Sequence, residues 1–272
     1  MTKLGKLIPV VLTLLLIGGC NTMQTRSSDG SALARIEQRG ELVLGTSGDM
    51  EPMSFTHADG KVVGLDVDIG RFMAQAMGVK LTTRTLPFTE LLPALQRGEV
   101  DVVISNLTIT PKRNMSVAFV GPYMTSGKCI LTKQESLARA QQAEDLNTPD
   151  TRIAVMKGST SEDFVRTLLP QATVMLADSR TAAVDLVKSD QAGGMLTDYP
   201  ICMSSLKNHP EAGFVSLFSL LSYEPIGIAL PGNDPLFVNW TENFLMRMEA
   251  LGALDEIGKR WFGEYAEAMQ SE

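Results

Sequence analysis

The side chains best suited to holding a small charged ligand stand just after runs of β-forming residues. Arg113 follows Thr110-Pro111, a pair typical of a helix start, so it is expected in a first helical turn. A guanidinium in that position suits bidentate capture of a carboxylate. On composition alone, an arginine solvated on a helix surface is the more common situation, so Arg113 needs support from other residues.

Two more segments offer complementary groups. Gly158-Ser-Thr-Ser-Glu162 follows a β-rich run and contains the capping-box pattern Ser159-x-x-Glu162, so free N–H groups near Ser159 and Thr160 could receive an anion. Asp198 ends another β-rich run, where its carboxylate could receive an ammonium group. Taken alone, the Ser159 segment is more commonly an ordinary helix cap, and Asp198 could simply cap the helix that follows.

Parallel sheets bind their ligands beyond the carboxyl ends of the strands, and all these segments lie at such ends. Thr46-Ser-Gly-Asp-Met50 follows the first strand in the same way, and Phe88 could add an apolar wall from a loop. With Arg113 for a carboxylate and Asp198 for an ammonium, the sequence predicts a pocket for a free α-amino acid.

Strands and helices must position these groups, and the two alternate along the chain. Such alternation favours α/β layers with mostly parallel sheets. Residues 134–150 are polar and are expected to cross the surface. The pattern predicts helices over 32–39, 68–77 and 89–97 and strands over 41–45, 61–67, 80–86, 101–105, 152–156 and 194–197.

Composition narrows the class of protein. The 272 residues carry a net charge of −7, which argues against a nucleic-acid partner because phosphates attract basic surfaces. Two histidines and three cysteines, at no metal-ligand spacing, favour neither a zinc site nor histidine-based catalysis, so no metal or cofactor is expected. Cys129 and Cys202 could pair in an oxidising compartment, but two buried thiols are the expectation in a chain with a large core.

The N-terminus has the pattern of a targeting segment. Two lysines precede the apolar run 7–17, which is short for a bilayer span and fits the core of a secretory signal. Ile17-Gly-Gly-Cys20 resembles a lipoprotein cleavage box, which predicts a signal peptide over 1–19 and lipid on Cys20; an ordinary secretory signal is the alternative. Residues 20–31 suit a flexible tether. We therefore expect a protein held near a membrane outside the cytoplasm.

A series of short motifs runs through residues 36–265. The motifs are Gly64-Leu-Asp-Val-Asp68, Leu92-Pro-Ala-Leu95, Gly98-Glu-Val-Asp101, Thr108-Ile-Thr-Pro-Lys-Arg113, Phe119-Val-Gly-Pro-Tyr123, Val155-Met-Lys-Gly-Ser-Thr160, Gly227-Ile-Ala-Leu230 and Gly258-Lys-Arg-Trp-Phe262. In this order they resemble the bacterial extracellular solute-binding proteins, family 3, the substrate-binding lipoproteins of amino-acid ABC transporters.

The resemblance implies a type II periplasmic-binding-protein fold, in which two α/β lobes with mostly parallel sheets are joined by a two-strand hinge. Lobe 1 is then expected at 32–125 and 225–268, and lobe 2 at 126–224, with the hinge near 124–127 and 222–226. The resemblance also implies a monomer in the periplasm or at the cell exterior, anchored by lipid, that delivers its ligand to the membrane subunits of an ABC transporter.

Particular residues match the family's ligand-binding positions. By resemblance, Arg113 grips the ligand carboxylate with help from Thr108 and from the segment at Ser159 and Thr160. Asp198 matches the acidic residue that takes the α-amino group.

Other matches concern the walls of the site. The lining positions implied by the resemblance are Ser105, Asn106 and the aromatic wall Phe88. Met50 stands where an aromatic ring is common, and Ser47 stands where a cation-specific relative has an acid. A thioether offers apolar contact without attracting a cation. The expected ligand is therefore a small polar or neutral amino acid.

Two other functions stay open at this point. Cyclohexadienyl or arogenate dehydratase-like enzymes share the fold and resemble the chain at 46–55 and 230–234. Their general acid aligns with Ile201, which cannot donate a proton. A ligand-sensing protein that serves a membrane receptor is the second alternative, and nothing in the sequence separates it from a transporter component.

Overall fold

The computed structural model describes residues 31–140, 142–217 and 222–263. The predicted signal peptide, Cys20 and nearly all of the predicted tether lie outside these residues. None of the helices in the described ranges has the length and apolar character needed to span a membrane.

The helices are α1 (Ala32–Arg39), α2 (Leu65–Met77), α3 (Leu91–Gln96), α4 (Pro111–Asn114), α5 (Glu135–Ala138), α6 (Thr160–Leu168), α7 (Arg180–Lys188), α8 (Tyr199–Asn208), α9 (Pro235–Ala250) and α10 (Ala253–Phe262). The strands are β1 (Glu41–Thr46), β2 (Asp49–Met50), β3 (Ser54–Thr56), β4 (Val62–Val63), β5 (Lys80–Thr85), β6 (Val102–Val103), β7 (Ala118–Ser126), β8 (Lys128–Thr132), β9 (Arg152–Met156), β10 (Thr173–Ala177), β11 (Gly194–Asp198), β12 (Val215–Leu217) and β13 (Glu224–Leu230).

Two five-stranded sheets form the centres of two lobes. The first sheet has the strand order β5-β1-β6-β13-β7, and the second has the order β10-β9-β11-β8-β12. The parallel ladders join β1 to β5 and β6 in one sheet, and β9 to β10 and β11 in the other. Strands β7, β8, β12 and β13 pair antiparallel. The α/β class with parallel strands is confirmed, and the antiparallel strands lie on the side of each sheet where the lobes connect.

The segment around the predicted strand 61–67 differs from the expectation. Only β4 is extended there, and α2 begins already at Leu65. Gly64, at φ 134°, turns the chain, and the N–H of Leu65 donates to the carbonyl of Pro52 at 3.1 Å. A Cβ at position 64 would lie 2.2 Å from the carbonyl oxygen of Met53, so this turn requires glycine.

Two other predicted elements are shorter than expected. The predicted strand 101–105 pairs only as β6: at Asp101 the backbone N–H donates to the Val43 carbonyl at 2.9 Å, while the side-chain carboxylate takes the N–H of Val43 at 2.8 Å. The predicted helix 89–97 divides into a 3₁₀ turn, Phe88–Glu90, and α3. Both changes leave irregular backbone at the carboxyl ends of the first sheet's strands, where ligand-binding residues can turn inward.

The apolar residues pack against both sheets. Leu42, Leu44 and Ile228 are fully buried in the first lobe. In the second lobe, Leu137 and Leu146 are buried in one cluster with residues of β9 and α6. The polar stretch 134–150 therefore does not simply cross the surface as expected, because it supplies part of the second lobe's core.

Strands β7 and β13 connect the lobes. They run antiparallel, with Glu224 opposite Ser126, and β8 of the second sheet begins one residue after β7 ends. The two segments predicted as the hinge, 124–127 and 222–226, thus lie side by side where the chain passes between the sheets.

Cys129 and Cys202 form a disulfide, so the expectation of two buried thiols is wrong. Cys129 lies opposite Thr197 in the ladder between β8 and β11, and α8 follows β11 directly. The helix therefore returns over β8 and brings the two Cα atoms to 6.5 Å, a distance that a disulfide can bridge.

Candidate functional site

A small cavity lies between the lobes, at the carboxyl ends of the parallel strands. Its free volume is about 20 Å³, enough for about one water molecule. A molecule the size of an amino acid therefore does not fit the cavity in this arrangement. The polar and charged lining residues are Asn106, Thr108, Arg113, Ser159, Thr160, Ser161, Arg180, Thr197 and Asp198, and the apolar ones are Met50, Phe88, Met156, Met195, Leu196 and Ile201.

Arg113 occupies the first turn of α4 as predicted, since Thr110 caps this helix by accepting the Arg113 N–H. The guanidinium donates to the carbonyl of Thr108 at 2.8 Å and, across the cleft, to the carbonyl of Gly158 at 3.1 Å. It lies 5.7 Å from the ring centre of Phe88. Burial lowers the pKa of Arg113, and nearby carboxylates only partly oppose this effect. Among the described residues, its side chain forms no ion pair within 4.0 Å, which leaves donors for a ligand.

The start of α6 faces the same cavity. Ser159 caps the helix by accepting the N–H of Glu162 at 3.3 Å. The carboxylate of Glu162 accepts the N–H of Gly158 at 2.8 Å and not the N–H of the N-cap residue Ser159. Only half of the predicted capping box therefore forms. Gly158 has φ 75° in this turn, a conformation that suits glycine. The helix N-terminus thus presents backbone N–H groups to the cleft.

Asp198 is the N-cap residue of α8, but its side chain makes no capping bond. One carboxylate oxygen accepts the Nδ2–H of Asn106 at 2.7 Å, which joins the lobes directly. The other accepts the Nζ–H of Lys128 at 2.5 Å. The Asp198 carboxylate therefore faces the cleft and does not cap its helix, and the ammonium of Lys128 already lies beside it.

Lys128 was not anticipated from the sequence, and its side chain is 1% exposed. Besides Asp198, it donates to the hydroxyl of Thr160 at 2.7 Å and lies 3.4 Å from Glu224. Burial by itself would raise the pKa of Glu224. The Lys128 charge and hydrogen bonds from neighbouring hydroxyls, including Thr108 at 2.8 Å, bring that pKa below its ordinary value. Lys128 is thus a buried ammonium held between two carboxylates.

Arg180, at the start of α7, is a second unanticipated cation of the cavity. Its backbone N–H donates to the Asp49 carboxylate and its Nε–H to the Asp49 carbonyl, both at 2.8 Å. Burial lowers the pKa of Arg180, partly opposed by Asp49 and Glu51. Its guanidinium makes one further bond, a long one of 3.4 Å to Ser205.

Asn106 is held in place by a buried acid. It adopts φ 48°, a left-handed conformation that asparagine tolerates, and its N–H donates to Asp66 at 2.9 Å. Asp66 also accepts the Tyr123 hydroxyl at 2.6 Å. Burial raises the pKa of Asp66 to about 6, although the bonds from Tyr123 and Asn106 oppose the rise. The Oδ1 atom of Asn106 is buried without a partner in the described structure, so it can accept a ligand donor.

The cavity brings together most of the residues singled out in the sequence. Ser47 and Ser105 are the exceptions, since neither lines the cavity. The Ser105 hydroxyl accepts the N–H of Ser47 at 2.9 Å, so Ser105 supports the loop behind the site. Those that line the cavity are Met50, Phe88, Asn106, Thr108, Arg113, Ser159, Thr160 and Asp198.

Sequence signals existed for both missed cations. Lys128 is the lone charge in an otherwise apolar strand that reads Lys-Cys-Ile-Leu-Thr132, and such a charge is rarely buried unless paired. Arg180 follows β10 and the N-cap Ser179, so it repeats the arrangement that pointed to Arg113. It escaped notice because β10 was not predicted as a strand.

Known proteins with similar sequences and structures extend this picture. An ancestral amino acid-binding protein, AncCDT-1, which is a precursor of cyclohexadienyl dehydratase, is 36% identical over 85% of this chain and 99% of its own, with a TM-score of 0.79. The ABC transporter glutamine-binding protein GlnH of Bacillus subtilis is 27% identical over 90% of each chain. The cyclohexadienyl dehydratase of Pseudomonas aeruginosa is 26% identical over 85% of this chain and 86% of its own.

The structural likeness confirms the type II periplasmic-binding-protein fold that the motifs implied. The sequence pattern of one family extends over residues 42–264, which is most of the chain. The protein belongs to the bacterial extracellular solute-binding proteins, family 3.

Proposed function

We propose that this protein binds a small polar or neutral amino acid between its lobes and delivers it to the membrane subunits of an ABC transporter. The observation that carries the proposal is Arg113, a partly buried guanidinium in the interlobe cavity with no carboxylate within 4.0 Å among the described residues. A ligand carboxylate supplies the missing partner, and the N-terminus of α6 adds N–H donors.

The opposite end of the ligand binds to acceptors. The ammonium group donates to Asp198, which keeps lone pairs free beside Lys128, and to the unpartnered Oδ1 of Asn106. Met50, Phe88 and Ile201 supply apolar walls. This combination of few polar groups and apolar contact area is typical of a small-molecule site.

Binding requires movement between two bodies. We assign residues 32–125 and 225–268 to lobe 1 and residues 126–224 to lobe 2, with the hinge at the paired ends of β7 and β13. Opening at this hinge admits the ligand, and closure excludes water from it. A monomer suffices, because both walls of the cavity come from one chain.

We also propose that the protein acts in the periplasm or at the cell exterior, anchored by lipid on Cys20. The support is the lipoprotein-type signal and the extracellular family to which the chain belongs. Cys20→Ala should release the protein from the membrane fraction and abolish incorporation of labelled palmitate. Retention of label by Cys20→Ala would exclude this anchor.

A ligand screen tests the binding function. The purified protein is heated with each of the common amino acids and with prephenate. A ligand at about 100 times its dissociation constant adds about 2.7 kcal/mol to the free energy of unfolding, or about 5–10 °C in the melting temperature. Delivery is tested with the reconstituted transporter, whose ATP hydrolysis should rise only when protein and ligand are both present.

Arg113→Gln should abolish the shift with every amino acid while leaving the melting temperature of the free protein nearly unchanged. Lys112→Gln is the matched control, since Lys112 is the exposed neighbour in the same turn. Equal ligand shifts in Arg113→Gln and wild type would mean that the carboxylate binds elsewhere.

The screen also addresses the dehydratase relative. Ile201 lines the cavity and is 1% exposed, so no proton donor stands at the position matched to the enzyme's acid. A shift with prephenate alone, together with its turnover, would replace binding by catalysis as the function.

A further inference from the structure

The cations and carboxylates of the interlobe cleft are not evenly matched. Lys128 is paired on two sides, with Asp198 at 2.5 Å and Glu224 at 3.4 Å. The guanidinium groups of Arg113 and Arg180 line the same cavity, and among the described residues neither has a carboxylate oxygen within 4.0 Å. Two partly buried guanidinium groups in one cavity therefore lack a directly bonded anion among the described residues.

Arg113 has a role in the proposed function, but Arg180 does not. The acids whose charges raise the pKa of Arg180 are Asp49 and Glu51. The carboxylate of Asp49 is bonded to the backbone N–H of Arg180, and that of Glu51 accepts from Asn208 at 2.7 Å. Neither carboxylate bonds to the Arg180 guanidinium, whose Nη2 group makes no hydrogen bond within the described chain.

Such an arrangement is costly without a further anion. A buried charge is stable when it is paired and its donors are satisfied, and an arginine fork matches a carboxylate in shape. A side-chain amide offers one acceptor oxygen to a guanidinium, whereas a carboxylate offers two and also supplies the missing charge. Two such guanidinium groups in one cavity suit a molecule with two separated carboxylates.

We propose that the ligand is a dicarboxylic amino acid of the aspartate or glutamate type, with its α-carboxylate on Arg113 and its side-chain carboxylate on Arg180. This assignment rests on the proposed amino-acid binding function and names its substrate class. Lys128 offsets one of the two negative charges of Asp198 and Glu224, which weakens their repulsion of a second carboxylate. Amino acids with cationic side chains are disfavoured, because they would add a second unpaired cation beside Arg180.

Isothermal titration of the purified protein with aspartate, asparagine, glutamate and glutamine tests the assignment. The acid should bind about 10- to 100-fold more tightly than its own amide, as expected for a buried charge-assisted contact. Arg180→Gln should reverse or erase that preference. Arg152→Gln is the matched control, since Arg152 is an exposed arginine whose guanidinium donates to the Asp190 carbonyl, and the variant should leave the preference unchanged.

The ratio of acid to amide affinity separates recognition from lobe contact. Arg180 also bonds to Asp49 across the cleft, and loss of that contact alone would weaken all ligands equally. An equal loss for acid and amide in Arg180→Gln would overturn the assignment, as would tighter binding of glutamine, arginine or lysine by the wild type. Those results would leave the amino-acid binding function standing.

Titration with succinate, glutarate and 2-oxoglutarate, which have two carboxylates but no amino group, distinguishes amino-acid binding from recognition of two carboxylates. Binding of these acids without any amino acid would overturn the proposed function and keep the two-carboxylate assignment. No binding by any of these compounds would overturn both.

Discussion

Among single residues, Lys128 changes the chemistry of the cleft most. It places a fixed ammonium where Asp198 and Glu224 would otherwise present two negative charges to the ligand. All three of its donors have acceptors nearby, counting the Thr160 hydroxyl. The ion cluster of Lys128, Asp198 and Glu224 is therefore complete without a ligand. A ligand ammonium that binds Asp198 must share this carboxylate with Lys128.

Replacing Lys128 should destabilise the protein strongly. Lys128→Met leaves two buried carboxylates without their cation, which typically costs about 3–5 kcal/mol. The free energy of unfolding in urea measures the loss, and Lys133→Met is the control because Lys133 is only partly buried. Adding Glu224→Gln to Lys128→Met should restore part of the loss. A loss below about 1 kcal/mol in the single variant would contradict the buried ion cluster.

Asp66 should make stability depend on pH. Its native pKa of about 6 lies above the ordinary 3.8, so the folded state holds the proton more tightly than the unfolded chain. This stabilisation is complete below about pH 4 and is lost as the pH rises through about 6. The difference corresponds to roughly 3 kcal/mol.

Unfolding of wild type and Asp66→Asn from pH 4 to 7 measures this effect. The wild type should lose roughly 3 kcal/mol relative to the variant as the pH rises. Asp150→Asn, at an exposed site, should follow the wild type. Parallel curves for wild type and Asp66→Asn would show that Asp66 does not titrate in this range.

The types and chain positions of single residues predicted part of the site. Arg113 and Asp198 follow strands, and this placement alone brought them to the cavity. Ser105 follows a strand too, yet its hydroxyl turns to the backbone of Ser47. Which way a short side chain points depends on the local turn, and the type of residue does not specify that turn.

At the scale of elements, the alternation of strands and helices could be predicted from the sequence, but the residues at which they begin and end could not. The start of α2 after Gly64 and the start of β6 after Asp101 each involve a hydrogen bond to a distant segment of the chain. The disulfide was missed for the same reason, since it depends on how far α8 folds back over β8. Local periodicity carries no information about such distances.

Reduction of the Cys129–Cys202 bond should destabilise the second lobe. The bond closes a loop of 73 positions, and constraint of the unfolded chain by a loop of this length is worth about 4 kcal/mol. Denaturant unfolding with and without a reductant measures the change. The double variant Cys129→Ala/Cys202→Ala is the control and should not respond to the reductant, while an unchanged midpoint in the reduced wild type would contradict the prediction.

At the scale of the whole molecule, the lobes touch directly both at the cavity and outside it. Asn106 donates to Asp198 in the cavity lining, and outside that lining the hydroxyl of Ser204 donates to the Glu51 carbonyl at 2.6 Å. Both bonds hold the two lobes together. The Ser204 bond does so without lining the cavity. The affinity for ligand therefore depends partly on contacts outside the binding site.

Ser204→Ala should weaken all ligands to the same extent, by about 3- to 10-fold, because it removes one hydrogen bond of the closed arrangement. Isothermal titration with two different ligands measures the change. Ser189→Ala removes a local bond on α7, away from the cleft, and should have no effect. A change in the preference between the ligands would assign Ser204 to recognition instead of closure.

The bond between Cys129 and Cys202 also bears on how the protein matures. A newly made chain in a reducing cytoplasm cannot form it, since thiols stay reduced there. If the chain acts outside the cytoplasm as proposed, its second lobe lacks this covalent constraint until export, and a chain without the bond is easier to unfold for passage across a membrane. Oxidation after export would then be the step that locks the chain into its working form.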